Sequence, residues 1–230
     1  MNLIITRGVT VILVICAVIV TALLIRDELI SSGIPELDPI PVRILSDMAW
    51  QRATDTDPVL GPRAARIKIV KFYDYECPFC RSLQSNLDQI RQKYPDDLAI
   101  IHRHYPLSYH PTAYPSAVAA ECAQEQGQFE AYHAELFERQ ESSANPNWIG
   151  LAKRVGILNL PDFRECVGQE LPSSKIKRDI LLADSLEISA IPTLIVEGSV
   201  FEGVLSVNDL DKIIQNIIRD DKGAIVDDQY

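Results

Sequence analysis

Lys71-Phe72-Tyr73-Asp74-Tyr75-Glu76-Cys77-Pro78-Phe79-Cys80 is the stretch on which the fold turns. The apolar run Ile67, Ile69, Val70, Phe72 and Tyr73 predicts a buried strand. Pro78 suits the first turn of a helix, where a missing N–H costs nothing. Leu83, Leu87, Ile90 and Tyr94 then recur at helical spacing and form one apolar stripe. Two cysteines therefore fall on the first turn of a helix that follows a strand. Unpaired N–H groups and the positive end of the helix dipole gather there and favour a thiolate at Cys77. Cys80, one turn on, lies on the same side and is able to close a short disulfide with it. Half of a zinc site is the rival reading, but no second cysteine or histidine pair stands at ligand spacing, so no metal is expected.

Asp74-Tyr75-Glu76-Cys77-Pro78-Phe79-Cys80 resembles the active-site segment of DsbA-type thiol–disulfide oxidoreductases of the thioredoxin superfamily. The order of elements along the chain is strand, helix, strand, all-helical block, hairpin, helix. The resemblance implies an α/β thioredoxin-like fold with an all-helical insertion at about residues 107–186, and no cofactor. It also implies that Cys77 and Cys80 are catalytic, with Pro78 and Phe79 beside the substrate. In Ser189-Ala190-Ile191-Pro192-Thr193, Pro192 would be the cis-proline and Ile191 the residue before it that touches substrate. On its own an Ile-Pro pair is an ordinary trans bond. Such a loop pairs with an extended peptide as an added strand. His110 and Ala119–Ala123 also match positions of the family pattern and are assigned structural roles.

The chain has 230 residues and a net charge of −10, which argues for one domain with appendages and against nucleic acid as a partner. Val9–Ile25 is apolar and uncharged, near the minimum of about 17 residues needed to cross a bilayer. Arg7 precedes it and no Ala-x-Ala site follows, which favours an uncleaved anchor with a cytoplasmic N-terminus over a cleaved signal peptide. Cys16, inside this run, is read as a small apolar side chain. We therefore expect a membrane anchor at 1–28, a tether at 29–57, the catalytic domain at 58–219 on the extracytoplasmic, periplasmic side, and a flexible tail at 220–230. Such a compartment permits disulfides. Cys122 and Cys166, both on helices of the insertion, are either free buried thiols or a structural bridge of the kind some relatives carry. A bridge would close a loop of about 44 residues, worth up to ~4 kcal/mol.

Two features depart from the resemblance. Many thioredoxin-like proteins carry a buried acid six residues before the first cysteine, and here that residue is Lys71. A desolvated lysine has a lowered pKa and is able to handle a proton, unless its ammonium group snorkels to the surface. Asp74 is the other candidate for proton handling, or else a surface carboxylate. Phe79 stands where strongly oxidising relatives often have histidine, and Asp74 and Glu76 add negative charge. Together these are expected to raise the pKa of Cys77 and make the disulfide milder. His102, His104 and His133 have no partner readable from sequence and are expected to be partly exposed or hydrogen-bonded.

The function expected is a membrane-tethered oxidase that exchanges disulfides with exported cysteine-containing proteins and is recycled by a redox partner in the membrane. A thiol reductase or isomerase of the same fold is the first rival. A non-catalytic peptide-binding chaperone or assembly factor is the second. A glutathione-dependent transferase on a related scaffold is the third, and those usually lack the cysteine pair.

Overall fold

The computed structural model describes residues 16, 19–21, 39, 41–55, 59–140 and 146–227. The chain divides into two units, residues 1–38 and 39–230. In the first, the described residues Cys16 and Ile19–Thr21 are helical. Most of the expected anchor at 9–25 lies outside the described residues. Among the described residues no helix is long and apolar enough to cross a membrane.

The second unit is built on a six-stranded sheet. β3 (Ile67–Tyr73) lies near its middle, parallel to β4 (Leu98–His104) and antiparallel to β5 (Thr193–Val196). β5 turns back into β6 (Ser199–Glu202), and β1 (Arg43–Ile44) and β2 (Val59–Leu60) flank the two sides, giving the order β1-β6-β5-β3-β4-β2. The β5–β6 turn puts Glu197 at φ 44° and Gly198 at φ 83°, the left-handed pair that a two-residue hairpin demands. Gly61 follows β2 at φ 102°, and a Cβ there would stand 2.4 Å from the Leu98 carbonyl oxygen, so only glycine fits.

Strand alternation sends side chains to two opposite faces. Ile67, Ile69 and Tyr73 of β3 face one core, with Leu98, Ile100, Leu194 and Val196. That face is covered by α2 (Pro78–Lys93) through Leu83, Leu87 and Ile90, and by α8 (Val207–Asp227) through Leu210 and Ile214. Between β4 and β5 come α3 (Ala113–Gln124), α4 (Phe129–Glu138), α5 (Trp148–Arg154), α6 (Leu160–Gly168) and α7 (Ser173–Ser185). Val70, Phe72, Ile101 and Ile195 face the second core, with Ala53 of α1 (Asp47–Thr54) and Ala183 of α7.

The folded unit begins earlier than the expected boundary at 58. Arg43 and Ile44 pair with Val200 and Ser199 of β6, and α1 then lies against the sheet with Ala53 fully buried. Arg103, buried on β4, donates to the carbonyls of Arg52 and Ala53 and forms a 2.9 Å ion pair with Asp179 of α7. These bonds satisfy the end of α1 and draw residues 41–55 out of the expected tether. The expected flexible tail is also shortened, because α8 continues past Ile218 to Asp227. No proline interrupts it, and the lone Gly223 costs a helix only about 1 kcal/mol.

Candidate active site

β3 ends at Tyr73, and the turn Asp74-Tyr75-Glu76 leads to Cys77, the N-cap of α2, with Pro78 in its first turn. The turn is fastened at several points. Asp74 is buried. Its carboxylate accepts from the Glu76 N–H at 2.6 Å, from the Leu107 N–H at 2.8 Å and from His110 Nδ1 at 2.7 Å. Glu76 accepts from the N–H and hydroxyl of Thr112, each at 2.8 Å, at the start of α3. Gln140 Nε2 donates to the carbonyls of Tyr75 and Cys77, at 2.7 and 2.9 Å. The helical insertion thus grips the cysteine turn from its far side.

Cys77 and Cys80 both have free thiols here. No side chain caps α2 at Cys77. The Cys80 S–H donates to the Cys77 sulfur, and the backbone N–H groups of Cys80 and Phe79 add to it. Partial burial and the Asp74 charge oppose them, and the net result lowers the Cys77 pKa to about 6. At neutral pH the thiolate then outnumbers the thiol by roughly ten to one. Burial, and the bond to Cys77, push the Cys80 thiol far up, so it stays protonated and remains a donor. The expected rise at Cys77 does not occur. Asp74 contributes the smallest effect, and Glu76 spends its carboxylate on Thr112. Pro78 and Phe79 are exposed, Phe79 at 64%, beside the first cysteine.

The Ile191–Pro192 bond is cis. Thr193 pairs with Phe72, which sets Pro192 level with Tyr73, at the strand end from which the cysteine turn departs. Pro192 is buried and its carbonyl accepts from the Gly203 N–H at 2.8 Å. Ile191 is half-buried and packs on the cluster that contains Cys77 and Cys80.

Lys71 does not snorkel. Its position in β3, between Ile69 and Tyr73 on the same face, points it under α2, and it is fully buried. Its Nζ donates to Gln84 Oε1, lies 3.4 Å from His133 Nε2, and sits 4.4 Å from the Tyr73 ring centroid. Burial lowers its pKa to about 7, and electrostatic interactions with Cys80 and Asp88 pull it partly back. Asp74, by contrast, is no surface carboxylate and has three donors on it. It is an anchor of the turn.

His102, His104 and His133 are all buried, and the last two are hydrogen-bonded, as one of the two expectations had it. His104 bonds Glu121 at 2.8 Å, and Glu121 also accepts from Lys175 at 2.6 Å. His133 bonds Gln84 at 2.9 Å and the Tyr75 hydroxyl at 2.7 Å, and Tyr73 donates on to Tyr75 at 3.1 Å. His102 has no partner for either ring nitrogen among the described residues, and burial holds it neutral. Cys122 of α3 and Cys166 of α6 are joined by a disulfide with Cα atoms 5.8 Å apart. Gln84 and Gln140 carry site contacts that sequence reasoning passed over. For Gln84 the signal was available: it stands one turn beyond Cys80, so it shares that residue's buried face.

A family model described as Thioredoxin matches residues 53–216. The chain belongs to the thioredoxin family. The solved structures that this thioredoxin-family protein resembles include thiol–disulfide exchange proteins of the DsbA type. The thiol–disulfide exchange protein α-DsbA2 from Wolbachia pipientis superposes with a TM-score of 0.66 at 20% identity, over 74% of this chain and 92% of that one. DsbA2 of Pseudomonas aeruginosa gives a TM-score of 0.56 at 27% identity, over 70% of this chain and 95% of that one. Among curated relatives, the Na(+)/H(+) antiporter NhaA 3 of Salinispora tropica is 31% identical over 163 residues. That match covers 70% of this chain but 25% of the antiporter, so the chain spans about a quarter of that relative's length.

Proposed function

We propose that this thioredoxin-family protein works as an oxidase of exported proteins, exchanging disulfides through its Cys77-Pro78-Phe79-Cys80 pair. The observation that carries this is the opposed chemistry of the two sulfurs. Cys77 is held as a thiolate by its partner's S–H and by N-terminal N–H groups of α2, while Cys80 is held as a buried thiol. Stabilising the reduced form makes the disulfide a stronger oxidant, which favours oxidase over reductase.

A substrate thiolate attacks Cys77 of the oxidised pair. The Cys77–Cys80 bond breaks and Cys80 leaves as a thiolate that takes up a proton. A second substrate thiolate then attacks the substrate sulfur of the mixed disulfide. The substrate disulfide forms, and Cys77 departs as the thiolate its surroundings favour. The exposed Phe79 and the Ile191 backbone border the approach and suit an extended peptide. Lys71 would exchange the proton of Cys80, a role that its burial and its electrostatic interaction with Cys80 support. A membrane redox partner would accept the two electrons and close the pair again. The apolar run at 9–25 supports tethering to a membrane by a single N-terminal helix. The Cys122–Cys166 bridge supports an oxidising, periplasmic location for the catalytic domain.

The test is the reduction potential of the Cys77–Cys80 pair, together with catalysed reoxidation of a reduced, unfolded disulfide protein. A potential near the ~−120 mV of strong oxidants is expected. A value near ~−270 mV would place the protein among reductases. Cys77→Ser should abolish the catalysed reoxidation; reoxidation at the wild-type rate in this variant would overturn the reading.

A further inference from the structure

Lys71 is fully buried, so a proton it takes from Cys80 needs a way out. Beside it lies a groove of about 530 Å³, lined among others by Gln84, Asp88, Arg91, Glu130 and His133. Gln84 stands between the two. Its Oε1 accepts from Lys71 Nζ and from His133 Nε2, and its Nε2 donates to Asp88 Oδ1 at 2.8 Å. Gln84 is nearly fully buried, while the Asp88 side chain is 44% exposed at the groove. Arg91 lies 3.9 Å from Asp88 and bonds Glu130 at 2.8 Å, closing the rim.

We propose that the proton exchanged with Cys80 passes between Lys71 and solvent through this groove, with the Gln84 side chain as its gate and Asp88 as the carboxylate that receives it. This rests on Lys71 as the base. Gln84 lies seven residues beyond Cys77 along α2, about 10 Å down the helix. Protons and substrate therefore use different openings, and a docked peptide does not block proton exchange. An amide is not itself a proton carrier, so the gate acts by swinging aside and admitting groove water to Nζ. Other groups facing Lys71 are poor outlets. His102 and His133 are held neutral by burial, and Tyr73 and Tyr75 are kept protonated by it. His104 is engaged with Glu121. Burial raises the Asp88 pKa, which brings it nearer to that of its donor.

The step balances. Cys80 S–H gives its proton to the Lys71 amine, leaving a thiolate and an ammonium. The thiolate attacks Cys77 of a mixed disulfide, the Cys77–Cys80 bond forms, and the outer thiolate leaves. The ammonium then passes its proton to groove water and Asp88.

Reduced protein treated with dithiobis(nitrobenzoate) releases one nitrothiobenzoate when Cys77 attacks and a second when Cys80 resolves. Asp88→Asn should slow the second release several-fold and leave the first unchanged, with Asp88→Glu near wild type. Added imidazole should restore the Asp88→Asn rate. Gln84→Leu, which blocks the gate, should slow the second release more than Gln84→Ala, which opens it; a packing role predicts the reverse order. Wild-type second release in both Asp88→Asn and Gln84→Leu overturns the route. If Lys71→Met also leaves the second release unchanged, the base assignment itself fails.

Discussion

Asp74 and His110 meet at 2.7 Å inside the protein, joining the turn that presents Cys77 to the loop that begins the helical insertion. The same carboxylate receives two backbone N–H groups, of Glu76 and Leu107. Removing it leaves donors without an acceptor in a dry site. Asp74→Ala should lower unfolding stability by about 3 kcal/mol, read from urea denaturation. Removing its charge, which opposes the Cys77 thiolate, should also lower the pKa of Cys77 slightly.

Cys77 is an acid whose pKa falls from 9.0 to about 6 on folding. Its contribution to the stability of the reduced protein is complete above pH 9 and is lost as pH falls through 6. Alkylation of the reduced protein by iodoacetamide should titrate with a midpoint near 6. Cys80→Ala removes the S–H donor that dominates the shift, so its midpoint should move upward towards that of an ordinary thiol. An unchanged midpoint would assign the effect to the helix N-terminus alone.

Lys71 is depressed from 10.5 to about 7, chiefly by burial. For a cationic group the folded state then disfavours the charged form, and this cost shrinks as pH rises from 7 towards 10.5. Lys71→Met should therefore be more stable than the natural protein, by on the order of 2 kcal/mol more at pH 6 than at pH 9. Resolution by Cys80 should slow by about a hundredfold. More stability with less turnover identifies a residue kept for chemistry.

The Cys122–Cys166 bridge spans 44 positions of the insertion. Converting both cysteines to alanine should cost roughly 4 kcal/mol in the chain-entropy model, seen as a lower urea midpoint. The reaction of Cys77 should be unaffected in the population that remains folded.

The central strand, the cysteine helix and the hairpin were legible because each carries a strong local signal: an apolar run, a proline in the first turn, and Glu197-Gly198. The entry of residues 41–55 into the fold was not. Arg43 and Ile44 form only two residues of strand, and Arg103 reaches α1 across fifty positions, so nothing local records either. Lys71 was recognised as unusual because it stands six residues before Cys77, where many thioredoxin-like proteins carry a buried acid. Its surroundings were hidden, since Gln84 and His133 reach it only through tertiary packing. The Cys77 charge state was misjudged by counting nearby acids. What matters is where each carboxylate is directed, and Glu76 is directed elsewhere.

β1 and β2 are each two residues long, yet they occupy both margins of the sheet. One short stretch ahead of β3 supplies both strips. An open rim of unpaired N–H and C=O groups invites another extended chain to zip onto it. Two-residue strips offer too little unpaired backbone for that, which keeps copies of the protein from stacking rim to rim into insoluble arrays.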